Sequence, residues 1–196
     1  TVPTAPLTAI TNTQRLTNYT NGASFDNAAV ADYETVGNAQ ISTSVKKYGT
    51  GSMSFDGTGD YLVTPSPSIN LQMGTGDFTV EAWVYISTGP GSGARSRIYS
   101  FQNLSASQAA FFLSVTNTSG TLYAEAFLRS ADGTGGTLYT GTTPLSTGTW
   151  YHIAYARAAG VGKLFVNGTV NDTETSQTQN LSQNLAGYVG TSDGTN

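Results

Sequence analysis

The chain has 196 residues, a net charge of −4 at pH 7, no cysteine, and charged residues at only 10%. Without cysteine there is no disulfide, zinc knuckle, iron–sulfur ligation or thiol nucleophile, and scattered basic residues on an acidic chain give no footprint for nucleic acid. No apolar run approaches the roughly 18 residues of a membrane helix, so membrane insertion is not expected.

A chain of this length buries roughly 70% of its unfolded surface without covalent staples, so one domain is expected. With few charges, the surface must come from Thr, Ser, Asn, Gln and Gly, a composition suited to strands, turns and exposed settings. Thr1-Val2-Pro3-Thr4-Ala5-Pro6 has neither the charged nor the apolar region of a signal peptide and no initiator Met, which reads as a processed or excised chain.

Residues 1–22 read as a Thr-, Asn- and Pro-containing linker, or as an arm laid on a neighbour. The domain itself spans 23–196 and begins in earnest near Phe25; Ala28 to Ala31 is the one short helix-like stretch. Met53 and Phe55 share one face of a strand over 52–55, and Asp56-Gly57-Thr58-Gly59 turns the chain into a strand over 60–64. The clearest strand is 78–86, with Phe78, Val80, Ala82, Val84 and Ile86 on one face and Thr79, Glu81, Trp83 and Tyr85 on the other. Further strands are expected at 97–102, 110–116, 121–129, 136–140, 150–157, 163–166 and 185–190. Ala158 to Gly162 reads as a hairpin loop, and Asn167-Gly168 is the strongest two-residue hairpin signal.

Strands of this number, spaced about 8–12 residues apart, indicate a sandwich or barrel. Apolar character on both faces of 78–86 selects an all-β, two-sheet antiparallel jelly-roll sandwich with its sheet covered on both sides.

Three stretches then carry a resemblance. Gly51 to Leu62 (GSMSFDGTGDYL), Phe78 to Tyr85 (FTVEAWVY), and Gly148 to Ala154 (GTWYHIA) continued by Lys163 to Gly168 (KLFVNG) together resemble the laminin-G-like, or concanavalin A-like lectin/glucanase, superfamily. The variety is similar to laminin-G-like domains in tail and other virion proteins of marine phages, whose lead-in resembles Gln40 to Met53. Such domains continue past Tyr188-Val189-Gly190 into a further strand, so a closing strand is expected either outside this chain or from another chain. An open sheet edge left by its absence would itself be a docking site.

The glucanase branch of that superfamily uses Glu-x-Asp-x-Glu on one strand, which sets two carboxylates about a glycosidic bond. None of Glu34, Glu81, Glu125 and Glu174 begins this pattern, and Glu81 is followed by Ala82, Trp83 and Val84. Glu81 is therefore read as a paired structural acid, His152 as a locally packed strand residue, and the chain as a non-enzyme. Trp83 and Trp150 are expected in the core, and Tyr99, Tyr123, Tyr139 and Tyr188 are candidates for exposure. No cofactor is required. Calcium needs only oxygen ligands, and Asp60 and Asp193 in Gly-rich loops are its candidate ligands; Asp56 reads as a turn residue.

Loops 87–97 and 130–137 are the expected contact surfaces. Asn-x-Ser/Thr triplets at Asn18, Asn103, Asn117, Asn167, Asn171 and Asn180 carry little weight in so Thr-rich a chain. The resemblance implies a binding or adhesion domain of a virion protein, on a virion surface or otherwise extracellular. It would recognise a surface glycan or a neighbouring virion protein within a homo-oligomeric assembly. A purely structural capsid- or fibre-decorating role is the alternative, and a glycoside hydrolase is disfavoured.

Overall fold

A computed structural model describes residues 3–5, 8, 11, 13, 16, 33–64, 72–102, 110–130, 132–182 and 185–191. The expected Phe25 boundary, the Ala28–Ala31 stretch, Asp193 and any continuation past Thr191 lie outside the described residues. Those described form antiparallel strands, and among them there is no helix long and apolar enough to cross a membrane. In chain order the strands are β1 (Glu34–Val36), β2 (Gln40–Ser42), β3 (Ser52–Ser54), β4 (Tyr61–Val63), β5 (Phe78–Tyr85), β6 (Arg95–Gln102), β7 (Ala110–Thr118), β8 (Thr121–Arg129), β9 (Thr137–Thr140), β10 (Trp150–Ala158), β11 (Val161–Val166), β12 (Thr169–Glu174) and β13 (Tyr188–Val189).

Seven strands in the order β1-β4-β13-β6-β7-β8-β9 face four in the order β12-β11-β10-β5, and β2-β3 stands apart as a two-stranded sheet. This is the expected two-sheet sandwich. Three hairpins close through two-residue turns with positive φ throughout: Ser119-Gly120 (52°, 92°), Ala159-Gly160 (49°, 73°) and Asn167-Gly168 (49°, 77°). Such turns match the right-handed twist of the strands they join. The expected 158–162 loop is thus shorter, because Asp77 Oδ1 accepts the Ala159 N–H at 2.8 Å and steadies an alanine where glycine is usual.

The core follows the period of two. Phe111, Leu113 and Val115 of β7 and Leu122, Ala124, Ala126 and Leu128 of β8 meet Ile153 and Tyr155 of β10 and Leu164 and Val166 of β11. Phe111 is a hub: Phe78, Phe101, Tyr155 and Tyr99 surround it with centroids at 5.6, 5.9, 5.7 and 6.2 Å. Tyr99 and Tyr139, candidates for exposure, are buried, whereas Tyr123 and Tyr188 are half-buried. Tyr155 donates to the Tyr139 hydroxyl at 3.3 Å, above Gly162.

Arg157 is buried in the same sandwich without a carboxylate bonded to it. Its guanidinium donates to the carbonyls of Gly74, Gly76 and Gln179 at 2.8–3.0 Å and stacks 4.9 Å from the Phe78 ring. It therefore joins the segment before β5 to the segment after β12, where Gly74 also bridges Leu181.

Strands β1, β2 and β12 were not expected. The first two are three residues long, and β12 is an edge strand of mostly polar residues with a register shift opposite Leu164/Phe165. β13 lies inside the large sheet, paired with β4 and β6. Of the lead-in, Leu16 is buried and the Pro3 carbonyl accepts the Tyr48 hydroxyl at 3.2 Å.

Candidate functional site

With inner faces committed to the core, function falls to the outer faces and the loops. β6 begins Arg95-Ser96-Arg97-Ile98-Tyr99, and a register shift between Arg97 and Tyr99 reverses its alternation. Arg95 and Arg97 thereby face outward while Tyr99 and Phe101 face the core. On that outer face Ser100, Phe112, Phe127 and Leu138 stand in one cross-strand row, and Arg97, Ser114, Glu125 and Thr140 in the next.

Phe112 and Phe127 stack at 5.3 Å with a 21° tilt, and the Arg97 guanidinium lies 3.7 Å over Phe112. Arg97 also reaches Ser114 Oγ at 3.5 Å. Arg95 crosses from the following row and grips Glu125 with two nitrogens, Nε on Oε2 and Nη2 on Oε1, the latter at 3.1 Å. Glu125 is buried, and this fork supplies the donors that a buried carboxylate requires. The pairing pushes the Arg95 guanidinium up from its ordinary value.

Between these groups lies an open depression of about 230 Å³ lined by Arg95, Phe112, Phe127 and Leu138. Leu138 is 46% exposed, one of the few large apolar side chains given to solvent. Chemically the depression offers a flat apolar floor, a fixed guanidinium–carboxylate rim, and nothing resembling a nucleophile with its base. Arg129, also outward on β8, brings a third arginine to this face, so basic residues scattered in sequence gather here in space.

The residues singled out from sequence fall elsewhere. Asp60 is buried, and its carboxylate closes the 56–60 turn: Oδ1 accepts the Asn38 N–H at 2.7 Å and Oδ2 the Asp56 N–H at 2.9 Å. Asp56 is the expected turn residue, its carboxylate accepting from Thr58 N–H at 2.7 Å and Asn38 Nδ2 at 3.1 Å, and the Thr58 amide foremost holds it below the usual range. Among the described residues no three His, Cys, Asp or Glu side chains gather as a metal site. Asn171 is buried, its Oδ1 accepting from Thr142 and Thr143 N–H, so its triplet serves packing.

Trp83 and Trp150 are not in the inter-sheet core as expected; they lie half-buried on the outer face of the four-stranded sheet. There Tyr85 packs on Trp150 at 5.5 Å, and Trp83 on His152 at 5.3 Å. His152 is buried with Nε2 3.2 Å from Glu81 Oε2, and this neighbour holds the Glu81 carboxyl below its ordinary range. Glu81 is thus the paired acid and His152 the packed strand residue that were expected. Glu81 and Glu125 occupy opposite outer faces of the sandwich, a whole core apart. The expected contact loops are partly ordered structure: 95–97 belongs to β6, and Ser130 accepts from Gly133 and donates to Thr134 in a tight turn.

A model of the concanavalin A-like lectin/glucanases superfamily matches residues 56–196. No curated protein matches the chain. Among solved structures, the botulinum neurotoxin serotype D binding domain is similar at 16% identity and a TM-score of 0.65, over 91% of this chain and 43% of that one. Domain 4 of AbnA, a GH43 extracellular arabinanase from Geobacillus stearothermophilus in complex with arabinotriose, is similar at 15% identity and a TM-score of 0.60, over 86% and 78%. Domains LG4-5 of the mouse laminin alpha1 chain are similar at 16% identity and a TM-score of 0.52, over 70% and 34%. The chain therefore spans about a third of the laminin fragment and less than half of the toxin domain, and these likenesses establish the fold.

Proposed function

The chain belongs to the concanavalin A-like lectin/glucanases superfamily, and on that premise we propose that it is a non-catalytic glycan-binding domain whose site is the outer face of the seven-stranded sheet. The observation that carries this reading is the depression of Phe112, Phe127 and Leu138 rimmed by the Arg95–Glu125 fork. A sugar ring has an apolar C–H face and an equator of hydroxyls. Rings and an exposed leucine receive the first, while a guanidinium and a carboxylate held rigidly receive the second. That the similar arabinanase domain holds arabinotriose, and that the similar toxin structure is a binding domain, supports this use of the fold.

The non-enzyme reading is supported by the separation of the acids, since Glu81 and Glu125 cannot flank one glycosidic bond. Release of reducing ends from a β-glucan by the purified domain would overturn it. The virion setting, with an extracellular surface location and a homo-oligomeric assembly, is supported by the resemblance of Gln40 to Met53 to the lead-in of laminin-G-like domains in phage virion proteins. Antibody labelling of intact particles tests it. A calcium ion held by Asp60 and Asp193 is a separate proposal: calorimetric titration should give binding that Asp193→Asn removes, and an absence of heat in the parent protein refutes it.

The site is tested by a glycan array followed by calorimetry on the best ligand. Phe127→Ala and Leu138→Ala should each weaken binding about fivefold or more, because stacking on a ring or burying an exposed leucine against a sugar is worth roughly 1 kcal/mol or more. Unchanged affinity in both variants rejects the site, and no captured glycan rejects the ligand class. A structural decorating role finds support in β5, whose outer edge pairs with no strand among the described residues. Concentration-dependent sedimentation together with a silent array would favour that reading instead.

A further inference from the structure

The opposite face of the sandwich holds a second arrangement. Trp83 of β5 and His152 of β10 are directly paired across the four-stranded sheet. His152 points outward and yet is only 3% exposed. Over its neighbour Trp83 lies the loop joining β2 to β3: Lys47 Nζ lies 4.4 Å over the Trp83 ring, and Tyr48 meets that ring edge-on at 5.7 Å. Among the described residues Trp83 Nε1 and His152 Nδ1 are buried without a hydrogen-bond partner, while His152 Nε2 stands 3.2 Å from Glu81 Oε2.

Burying polar atoms unpaired opposes folding, and a structural cover would do better with apolar groups alone. The cover itself is weakly tied. Its two strands have three residues each and make no ladder with either main sheet among the described residues, and such a hairpin is marginal on its own. The Tyr48 hydroxyl donates to the Pro3 carbonyl of the lead-in at 3.2 Å.

We infer that Lys47 and Tyr48 form a lid over a second binding site, and that the site takes a neutral sugar ring. With the lid raised, the indole face is free for the C–H face of a sugar, the place that the Lys47 side chain occupies when closed. Hydroxyls both donate and accept. They can accept from Trp83 Nε1–H, pair with His152 Nδ1, and donate to Glu81. A charged ligand fits less well, because Glu81 stands on one side and Lys47 on the other. This site shares no residue with the depression on the other sheet and does not depend on it.

The test uses a Trp150→Phe background, in which Trp83 is the sole indole. Lys47→Ala and Tyr48→Ala should each make Trp83 fluorescence more accessible to acrylamide. On an array of neutral oligosaccharides they should bind at least one glycan about tenfold tighter than the parent, since the apparent affinity of a covered site scales with its open fraction. That gain should vanish with Trp83→Phe and survive Phe127→Ala. If neither variant binds any neutral glycan more tightly than the parent, or if the gain survives Trp83→Phe, the inference is wrong. Lys47 is exposed, so its substitution keeps the test available should the Tyr48 variant fail to fold.

Discussion

Gly162 offers the sharpest check on the packing described above. It lies on the inner face of β11, and a Cβ added there would sit 2.1 Å from the Tyr139 hydroxyl oxygen, 2.4 Å from that of Tyr155, and 2.8 Å from Tyr139 Cζ. Both tyrosines are fully buried, so neither ring can swing into solvent. Gly162→Ala must therefore move two rings by on the order of 1 Å and break their 3.3 Å hydrogen bond. Overpacking of this kind costs about 1–3 kcal/mol, and loss of the buried hydrogen bond adds roughly 1 kcal/mol. The entropy gained by replacing glycine in a strand returns about 0.5–1 kcal/mol. The net is a destabilisation of about 1–3.5 kcal/mol, or roughly 2–14 °C in Tm for a domain of this size. Differential scanning calorimetry reads it directly. Adding Tyr139→Phe removes the nearest atom, so the double variant should recover part of the loss but not all, because Cζ stays in the way. A Gly162→Ala protein melting within about 1 °C of the parent would refute the packing.

Other outcomes follow from the same geometry. Glu81 is held below its ordinary value, so its share of stability is present above the unfolded carboxylate pKa of 4.5 and is lost as pH falls through the lower folded value. Glu81→Gln should lower stability above about pH 5 by less than about 1 kcal/mol and flatten the acid limb of a pH-dependent melt, variant and parent converging at low pH. Burial first, and the hydrogen bond from Tyr155 second, keep Tyr139 un-ionised well above its ordinary 10.0. Stability from this group is intact below pH 10.0 and declines above it, so tyrosinate absorbance should rise in step with alkaline unfolding. Arg157→Lys keeps the charge but loses the planar fork that reaches three carbonyls, and urea denaturation should show a cost of about 2–4 kcal/mol. Gly37→Ala combines a φ of +75° with a Cβ 2.4 Å from Asp60 Oδ1, and should loosen the 56–60 turn, read as faster amide exchange at Asn38 and Asp56.

The strands most visible in the sequence were those whose inner faces are uniformly apolar. Phe78 to Tyr85 and Thr121 to Arg129 alternate cleanly, and Asn167-Gly168 announces its own turn. What escaped was short, polar or stabilised by distant partners. β1 and β2 have three residues each, too few for a period to show. β12 is held by the register of β11 and by Asn171 capping Thr142 and Thr143, and nothing local in Thr-Val-Asn-Asp-Thr-Glu requires a strand. The tryptophans were assigned to the core because they sit in strands of the resembling motifs, but strand alternation had already set Trp83 opposite Val80 and Ala82. Following that alternation through would have put Trp83 outside.

The depression on the large sheet shows a deeper limit. Its members come from β6, β7, β8 and β9, and each strand alone offers only one or two of them. The alternation of β8 does place Tyr123, Glu125, Phe127 and Arg129 on one face, so half of the site was readable there. The arginines were not, because β6 reads Arg-Ser-Arg-Ile-Tyr-Ser-Phe, and an unbroken period of two puts Arg95 and Arg97 on the same face as Tyr99 and Phe101. That arrangement would bury two guanidiniums in an apolar core at a cost no pairing there could offset. The chain escapes by a register shift at Ile98, which turns the arginines outward and leaves the aromatic rings inward. The conflict itself was the available signal: two arginines and two aromatics in phase on one strand cannot share a core. A bulge between them is the solution that keeps both, and it creates the rim of the depression in the same step.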